Sequence, residues 1–373
     1  MPSSSTPPSA LLTVHRSSGS DSLSIHTHGI RGLELNVGDP RATAYGGSAS
    51  LKISAGERFR KIYAFAAENN ITVVGGADTG VGIGGWIAYG GHSPVSARYG
   101  MGVDQVLEME VVTADGVLRT VNEDQDAELF WAMRGVSCLV SHAIFFMTTT
   151  DASQGGAGSF AVLVSVTVKV YPSLAYTFVS YSYNTTSDSD AFWSLTAYWA
   201  SMLPQLSEAG LMGYHYPVPN DPSEKNASIA GKLRGYWFGP ELSKSEFEAV
   251  LAPVNEHIRT AQWGASVVAS NTTITGDNIS AILATGLGDD DGGIPVRLGS
   301  RLLDGKSLSK PLDEIKKALR KAHGLSRGLQ IFNVAGPGAR VPVGGIPGGS
   351  NALLPAWRSA YAHVGTLILR DLY

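Results

Sequence analysis

Residues 73–99 read V-V-G-G-A-D-T-G-V-G-I-G-G-W-I-A-Y-G-G-H-S-P-V-S-A-R-Y, and eight of them are glycine. No helical apolar period runs through the stretch. Glycine at this density admits φ > 0 and lets backbone amides approach a ligand closely. Successive amides in such a loop form a concave nest suited to a pyrophosphate. Gly80, Gly82 and Gly85 supply a G-x-G-x-x-G pattern, the mark of a nicotinamide-binding Rossmann turn, which needs a helix opening at its third glycine. Here W-I-A-Y-G-G-H-S-P follows, and its glycine pair and Pro94 are expected to stop any helix at once. The pattern therefore argues against a nicotinamide-dependent dehydrogenase. A tight corner built of glycines for packing alone is the plainer alternative.

The downstream order narrows the choice. G-G-H-S-P (residues 90–94) is followed by V-D-Q-V-L-E-M-E-V-V-T-A-D-G, D-A-E-L-F-W-A-M-R-G and, further on, G-G-A-G-S-F before an alternating strand ending in Lys169. This series resembles the FAD-binding domain of the vanillyl-alcohol-oxidase superfamily, and within it the fungal berberine-bridge-enzyme-like oxidases. The resemblance covers residues 17–172 most closely and continues more weakly to the end.

It implies an α+β chain: a PCMH-type FAD-binding domain over 17–173, then a substrate domain over 174–373 with an antiparallel sheet and helices on one side. Residues 1–16 read as a Ser/Pro-rich segment outside that pattern. The resemblance implies FAD as cofactor, with Gly76, Thr79, Gly82 and Gly85 along the pyrophosphate and isoalloxazine. Gly90, Gly91 and His92 continue that wall, Asp104 sits toward the nucleotide half, and Gly158 and Val162 offer backbone contacts. Substrate oxidation by hydride transfer needs a base near the reacting hydroxyl. Tyr214, His215 and Tyr216, on one strand, are the candidates, against the plainer reading of aromatics filling a sheet face.

The chain also departs from the family pattern. Leu11 stands where the resemblance would put an attachment histidine, and Ala77 and Asp78 where it would put a cysteine, so any flavin is expected to be non-covalent. Both ends of the pattern look cut short, and a truncated, inactive remnant is the rival to a flavin-dependent oxidase of an alcohol, sugar or secondary-metabolite intermediate with O2 as acceptor. Residues 136–154 interrupt the run that would otherwise read R-G-G-G-A-G-S-F. Codons GTG-AGT, ACT-GAC and CAG could encode its ends as splice signals, which suggests a retained intron. Transcript reads joining codons 135 and 155 would support this, and retention in every transcript would exclude it.

Composition fits the same class. A 43% hydrophobic, 16% charged chain of 373 residues is an ordinary globular one. Its net charge of −4 offers no field for nucleic acid, and no apolar run reaches bilayer length. The single cysteine, Cys138, rules out an internal disulfide and a cysteine-built metal site. His26 and His28 are expected on one face of a strand, without a third ligand for a metal. Sequons at Asn184, Asn226, Asn271 and Asn278 and the resemblance suggest the secretory pathway, although the first residues lack a signal peptide's apolar core. No G-x-S-x-G elbow favours hydrolysis.

Among the elements, Phe59, Ile62, Tyr63 and Ala66 recur at helical spacing, with Ser54 and Glu57 as a capping box. A hairpin at Asp115-Gly116 precedes a short helix from Asp124 or Asp126. A helix over 192–203 is expected to end at Pro204, and others are marked by Phe247, Val250, Leu251, Val254 and Ile258, and by Leu312, Ile315, Leu319 and Ala322.

Overall fold

A computed structural model describes residues 24–135, 159–185, 189–219, 231–286, 296–324 and 328–369. Residues 1–16, the 136–154 segment, Gly158 and Asn226 lie outside that set. Two antiparallel sheets organise the rest. The first takes β1 (Leu33–Val37), β2 (Ala49–Ser54), β3 (Ile71–Thr72), β4 (Val106–Thr113), β5 (Leu118–Asn122) and β6 (Ala161–Pro172). Its order is β1-β2-β6-β4-β5, with β3 also on β6. Short helices α1 (Pro40–Ala44), α2 (Phe59–Glu68), α3 (Ile83–Ala88), α4 (Ser96–Tyr99) and α5 (Ala127–Ala132) connect the strands.

The second sheet contains β7 (Tyr176–Thr185), β8 (Met212–Pro219), β9 (Gly231–Pro240), β10 (Val267–Gly276), β11 (Val296–Asp304), β12 (Gly328–Asn333) and β13 (Ala360–Leu369). Its order is β10-β7-β9-β8-β12-β13-β11. One face carries α6 (Ser189–Glu208), α7 (Lys244–Thr260) and α10 (Leu312–His323), whose apolar residues share a core with Val179, Leu233, Trp237 and Ile331. The other face presents Tyr214, Tyr236 and Phe238 to the core of the first sheet. The α+β class follows, and the all-antiparallel pairing excludes a Rossmann sheet.

Helix α2 buries Phe59, Ile62, Tyr63 and Ala66, the stripe its spacing demands. Its start differs from the expected capping box. Arg58 is the N-cap, while buried Glu57 accepts from Gly32 N–H at 2.9 Å and pairs with Lys61 at 2.9 Å and Arg31 at 3.3 Å. A buried carboxylate stays charged only with such partners, and these outweigh the capping role. Helix α3 is a second correction. Gly85 lies in its first turn, and the glycine pair ends it at Tyr89 rather than preventing it. Burial of Ile83 and Ile87 holds this short turn despite its glycines.

Helix α6 runs through Pro204 to Glu208. Proline deletes one helical hydrogen bond, yet both flanking apolar residues, Leu203 and Leu206, are fully buried, and the Ala209 N–H donates to Gln205 O at the helix end. Leu312 stands exposed, so the α10 stripe rests on Ile315 and Leu319. His26 and His28 stack at 5.4 Å beside and within the 3-10 turn Thr27–Gly29, not on a strand. Among the described residues no group of three metal-ligating side chains forms.

Two connections tie the units together. Helix α8 (Ile279–Ala284) returns to α2, where Asn278 Nδ2 donates to Ala67 O at 3.1 Å and Ser280 Oγ to Ile71 O at 2.8 Å. After α9 (Gly305–Leu308), α10 and β12, the chain crosses the first unit before β13. There Gly348 N–H donates to Glu123 at 2.9 Å, and Arg134 Nη2 to Ser350 O at 2.7 Å. Ala352 N–H also donates to Arg134 O at 2.9 Å.

Candidate active site

The loop from β3 into α3 is pinned to the first turn of α2. Phe59 N–H donates to Val81 O at 3.1 Å, Arg60 N–H to Thr79 O at 3.0 Å, and Ile83 N–H to Glu57 O at 3.0 Å. This brings Gly76, Thr79, Gly82 and Gly85 into one strip, but the glycines differ in purpose. A Cβ at Gly76 would lie 3.0 Å from Phe59, at Gly90 2.7 Å from Leu353 and at Gly91 2.8 Å from Trp86. Packing by the protein explains those three. At Gly82 the nearest obstacle is Glu57 O at 3.8 Å, and at Gly85 nothing lies within 4 Å. Their backbone is therefore open to a ligand, as a flavin cofactor requires, and the residues present fit FAD at these two positions.

His92 follows the strip, half-buried, with its ring against those of Tyr214, Phe332, Trp357 and His363 at 5.8–6.3 Å. Its Nδ1 is 3.2 Å from the Tyr214 hydroxyl. Crowding by protein, and then His363, push the His92 pKa down to about 3. The ring is thus neutral at working pH and accepts from Tyr214 when its proton is on Nε2. Tyr214 is buried, and desolvation raises its pKa well above the usual 10. Tyr216 is less enclosed: burial raises it to about 12, while the Arg234 charge pulls the other way.

His215 does not join them. Successive strand residues face opposite ways, and His215 points into the helix-side core, its Nδ1 2.7 Å from the Tyr181 hydroxyl and its ring against Trp237. Desolvation lowers its pKa to about 3. Its folded pKa lies below the ordinary 6.5, so the unfolded chain binds the extra proton first, and stability falls as pH drops from about 6.5 toward 3. This one group is expected to remove about 2 kcal/mol between neutral pH and pH 5. Urea titrations of wild type and His215→Phe across that range test it, the wild type losing more. Parallel losses would contradict the assignment.

Asp104 is held by groups of the protein itself. It is fully buried, with Arg358 Nη1 at 2.7 Å and Nη2 at 2.8 Å, Asn351 Nδ2 at 2.8 Å and Met101 N–H at 2.9 Å. The Arg358 and Asn351 contacts join the first unit to the segment before β13, and the Met101 contact closes a local turn. Val162 sits on β6 opposite Val112. Sequence reasoning missed Phe332, Trp357 and His363. They come from three separate segments, so no local spacing links them. A cavity of about 330 Å³ lined by Trp199, Trp237, Tyr181 and Asn255 is on the helix side of the second sheet, away from His92.

Two antiparallel sheets thus flank a glycine strip and an aromatic wall. A family model described as FAD binding domain matches residues 13–122, and the chain is similar over most of its length to FAD-linked oxidoreductases. An uncharacterized FAD-linked oxidoreductase of Arthroderma benhamiae is 30% identical over 95% of this chain and 58% of its own length. The FAD-linked oxidoreductase apf9 of Gibberella fujikuroi is 31% identical over 92% and 57%. The VAO-type flavoprotein MtVAO713 of Myceliophthora thermophila superposes with a TM-score of 0.79 at 23% identity, over 94% of this chain and 59% of that one. Berberine bridge enzyme gives 0.64 at 14% identity, over 92% and 61%. The chain thus spans less than two thirds of these relatives. No described helix is long and apolar enough to cross a membrane.

Proposed function

We propose that the protein oxidises a small organic alcohol, a sugar or a secondary-metabolite intermediate, with O2 as final electron acceptor. The observation that carries this reading is the aromatic wall of β8, β12 and β13 set against His92 at the end of the open glycine strip. Gly82 and Gly85 would hold FAD, which when bound would supply hydride acceptance and reoxidation by O2.

The chain's own residues divide the remaining work. Tyr216 is the base for the substrate hydroxyl, because its phenol is less raised than that of Tyr214 and has a cation beside it. Tyr214 donates to neutral His92 and fixes the wall. The rings of Phe332 and Trp357 exclude water from the reacting face. Oxygen uptake with equimolar peroxide and carbonyl product, for at least one of the three substrate classes, is the expected result. Flavin-loaded protein inert toward all three would support the inactive-remnant reading instead.

We also place the protein in the secretory pathway. Asn271 is exposed on edge strand β10 and open to a glycan, whereas the Asn278 side chain is occupied in capping α8 and holding α2. Exported protein is expected to shift on glycosidase treatment, and Asn271→Gln to remove most of that shift. An unshifted wild type contradicts the placement.

A further inference from the structure

The face of the second sheet that carries the aromatic wall continues outward into a polar tract. Register defines two adjacent cross-strand rows. One runs Thr272, Ser180, Tyr236, Tyr214, Phe332, His363, and the next runs Ser270, Ser182, Arg234, Tyr216. Arg234 is thus the direct cross-strand neighbour of Tyr216, at a separation where paired side chains interact.

At the outer end lies a shallow hollow of about 300 Å³, whose lining includes Ser180, Ser182, Lys232, Arg234, Ser270, Asn271 and Thr272. It holds two cations and four hydroxyls, and no carboxylate lines it. Arg234 is exposed and makes no ion pair among the described residues, although the chain as a whole is acidic. Elsewhere on this molecule arginines of the first unit do find acids: Arg31, Arg41 and Arg119 all pair. A guanidinium left open among hydroxyls, on the side of the sheet that faces the reacting group, is fitted to a planar anion in bidentate contact.

We infer that the substrate is an acid: a hydroxyl-bearing molecule whose carboxylate is held by Arg234 while its hydroxyl lies against Tyr216. Strand spacing sets the separation. One to two strands across the sheet is roughly 5–10 Å, the span of a small aromatic or short-chain hydroxy acid. The inference rests on the proposed site, with Tyr216 as its base, and adds the class of molecule that enters it.

The test uses 4-(hydroxymethyl)benzoate and benzyl alcohol, which share the reacting carbon and differ in the carboxylate. Binding to glycosidase-treated, full-length protein is measured by titration calorimetry, so the readout does not depend on turnover. The acid is expected to bind at least about tenfold more tightly. Arg234→Gln is expected to erase that preference, and Arg234→Lys to restore part of it. Because Arg234 is exposed, thermal melting of both variants should match the wild type. Equal affinity for the two probes in wild type, or an undiminished preference in Arg234→Gln, overturns the inference. A protein without visible flavin that still prefers the acid would overturn the proposed oxidase while supporting the anion site.

Discussion

Replacing Tyr216 with phenylalanine is expected to lower kcat by about 10²- to 10⁴-fold, the range over which a positioned acid–base group accelerates proton transfer. The substitution removes one oxygen from a half-buried side chain and leaves its ring edge-on to Phe332, so folding and flavin absorption should be unchanged. The wild-type rate should climb with alkaline pH, because the raised phenol is the group that must be deprotonated, and the variant should lose that climb. Tyr214→Phe is the internal control. It removes a hydrogen bond to neutral His92, worth about 0.5–1.5 kcal/mol, or roughly three- to tenfold in rate. If Tyr214→Phe causes the large loss and Tyr216→Phe the small one, the two roles are reversed.

The second large effect is on stability. Asp104→Ala is expected to destabilise the protein by about 3–5 kcal/mol, since removing one partner of a buried pair leaves the other uncompensated. Asp104 is the single acid that gathers Arg358, Asn351 and the Met101 amide. Arg358 is partly exposed, so water can recover some of its hydration, and the loss should fall toward the lower end. Urea unfolding measures it directly. The segment before β13 should loosen with it, because Arg358 and Asn351 hold that segment to the first unit. A loss under about 1 kcal/mol would place the pair among ordinary surface ion pairs.

Local pattern carried much of the fold into view. The i, i+3, i+4, i+7 spacing of Phe59, Ile62, Tyr63 and Ala66 marks the buried face of α2 without any tertiary knowledge. The Asp115-Gly116 turn marks the β4–β5 hairpin, where Gly116 adopts a φ of 78°. Pattern failed where distant atoms outweigh local preference. Pro204 does not stop α6, because the leucines on both sides of it are needed in the core. Glu57 abandons its cap for Arg31, Lys61 and Gly32.

The site was legible only in part, for the same reason. Strand alternation separates Tyr214 and Tyr216 from His215, but the alternation alone does not say which face meets the glycine strip. That depends on the first unit docking against β8, which puts Tyr214 beside His92, 122 residues away. The ion pair of Asp104 was not legible, because its partner Arg358 lies 254 residues further on. Glycine identity alone does not show what each glycine is for. Gly76 and Gly91 are glycine to admit Phe59 and Trp86, and only the Cβ environments separate them from Gly82 and Gly85.

The central claim is that this fold binds a flavin and uses it. The visible absorption spectrum of the full-length protein, taken after gel filtration and again after incubation with added FAD, tests that claim most directly. The account predicts a yellow protein whose flavin bands co-elute with the folded chain and bleach when an oxidisable alcohol is added without oxygen. A folded protein that stays colourless in excess FAD would contradict it.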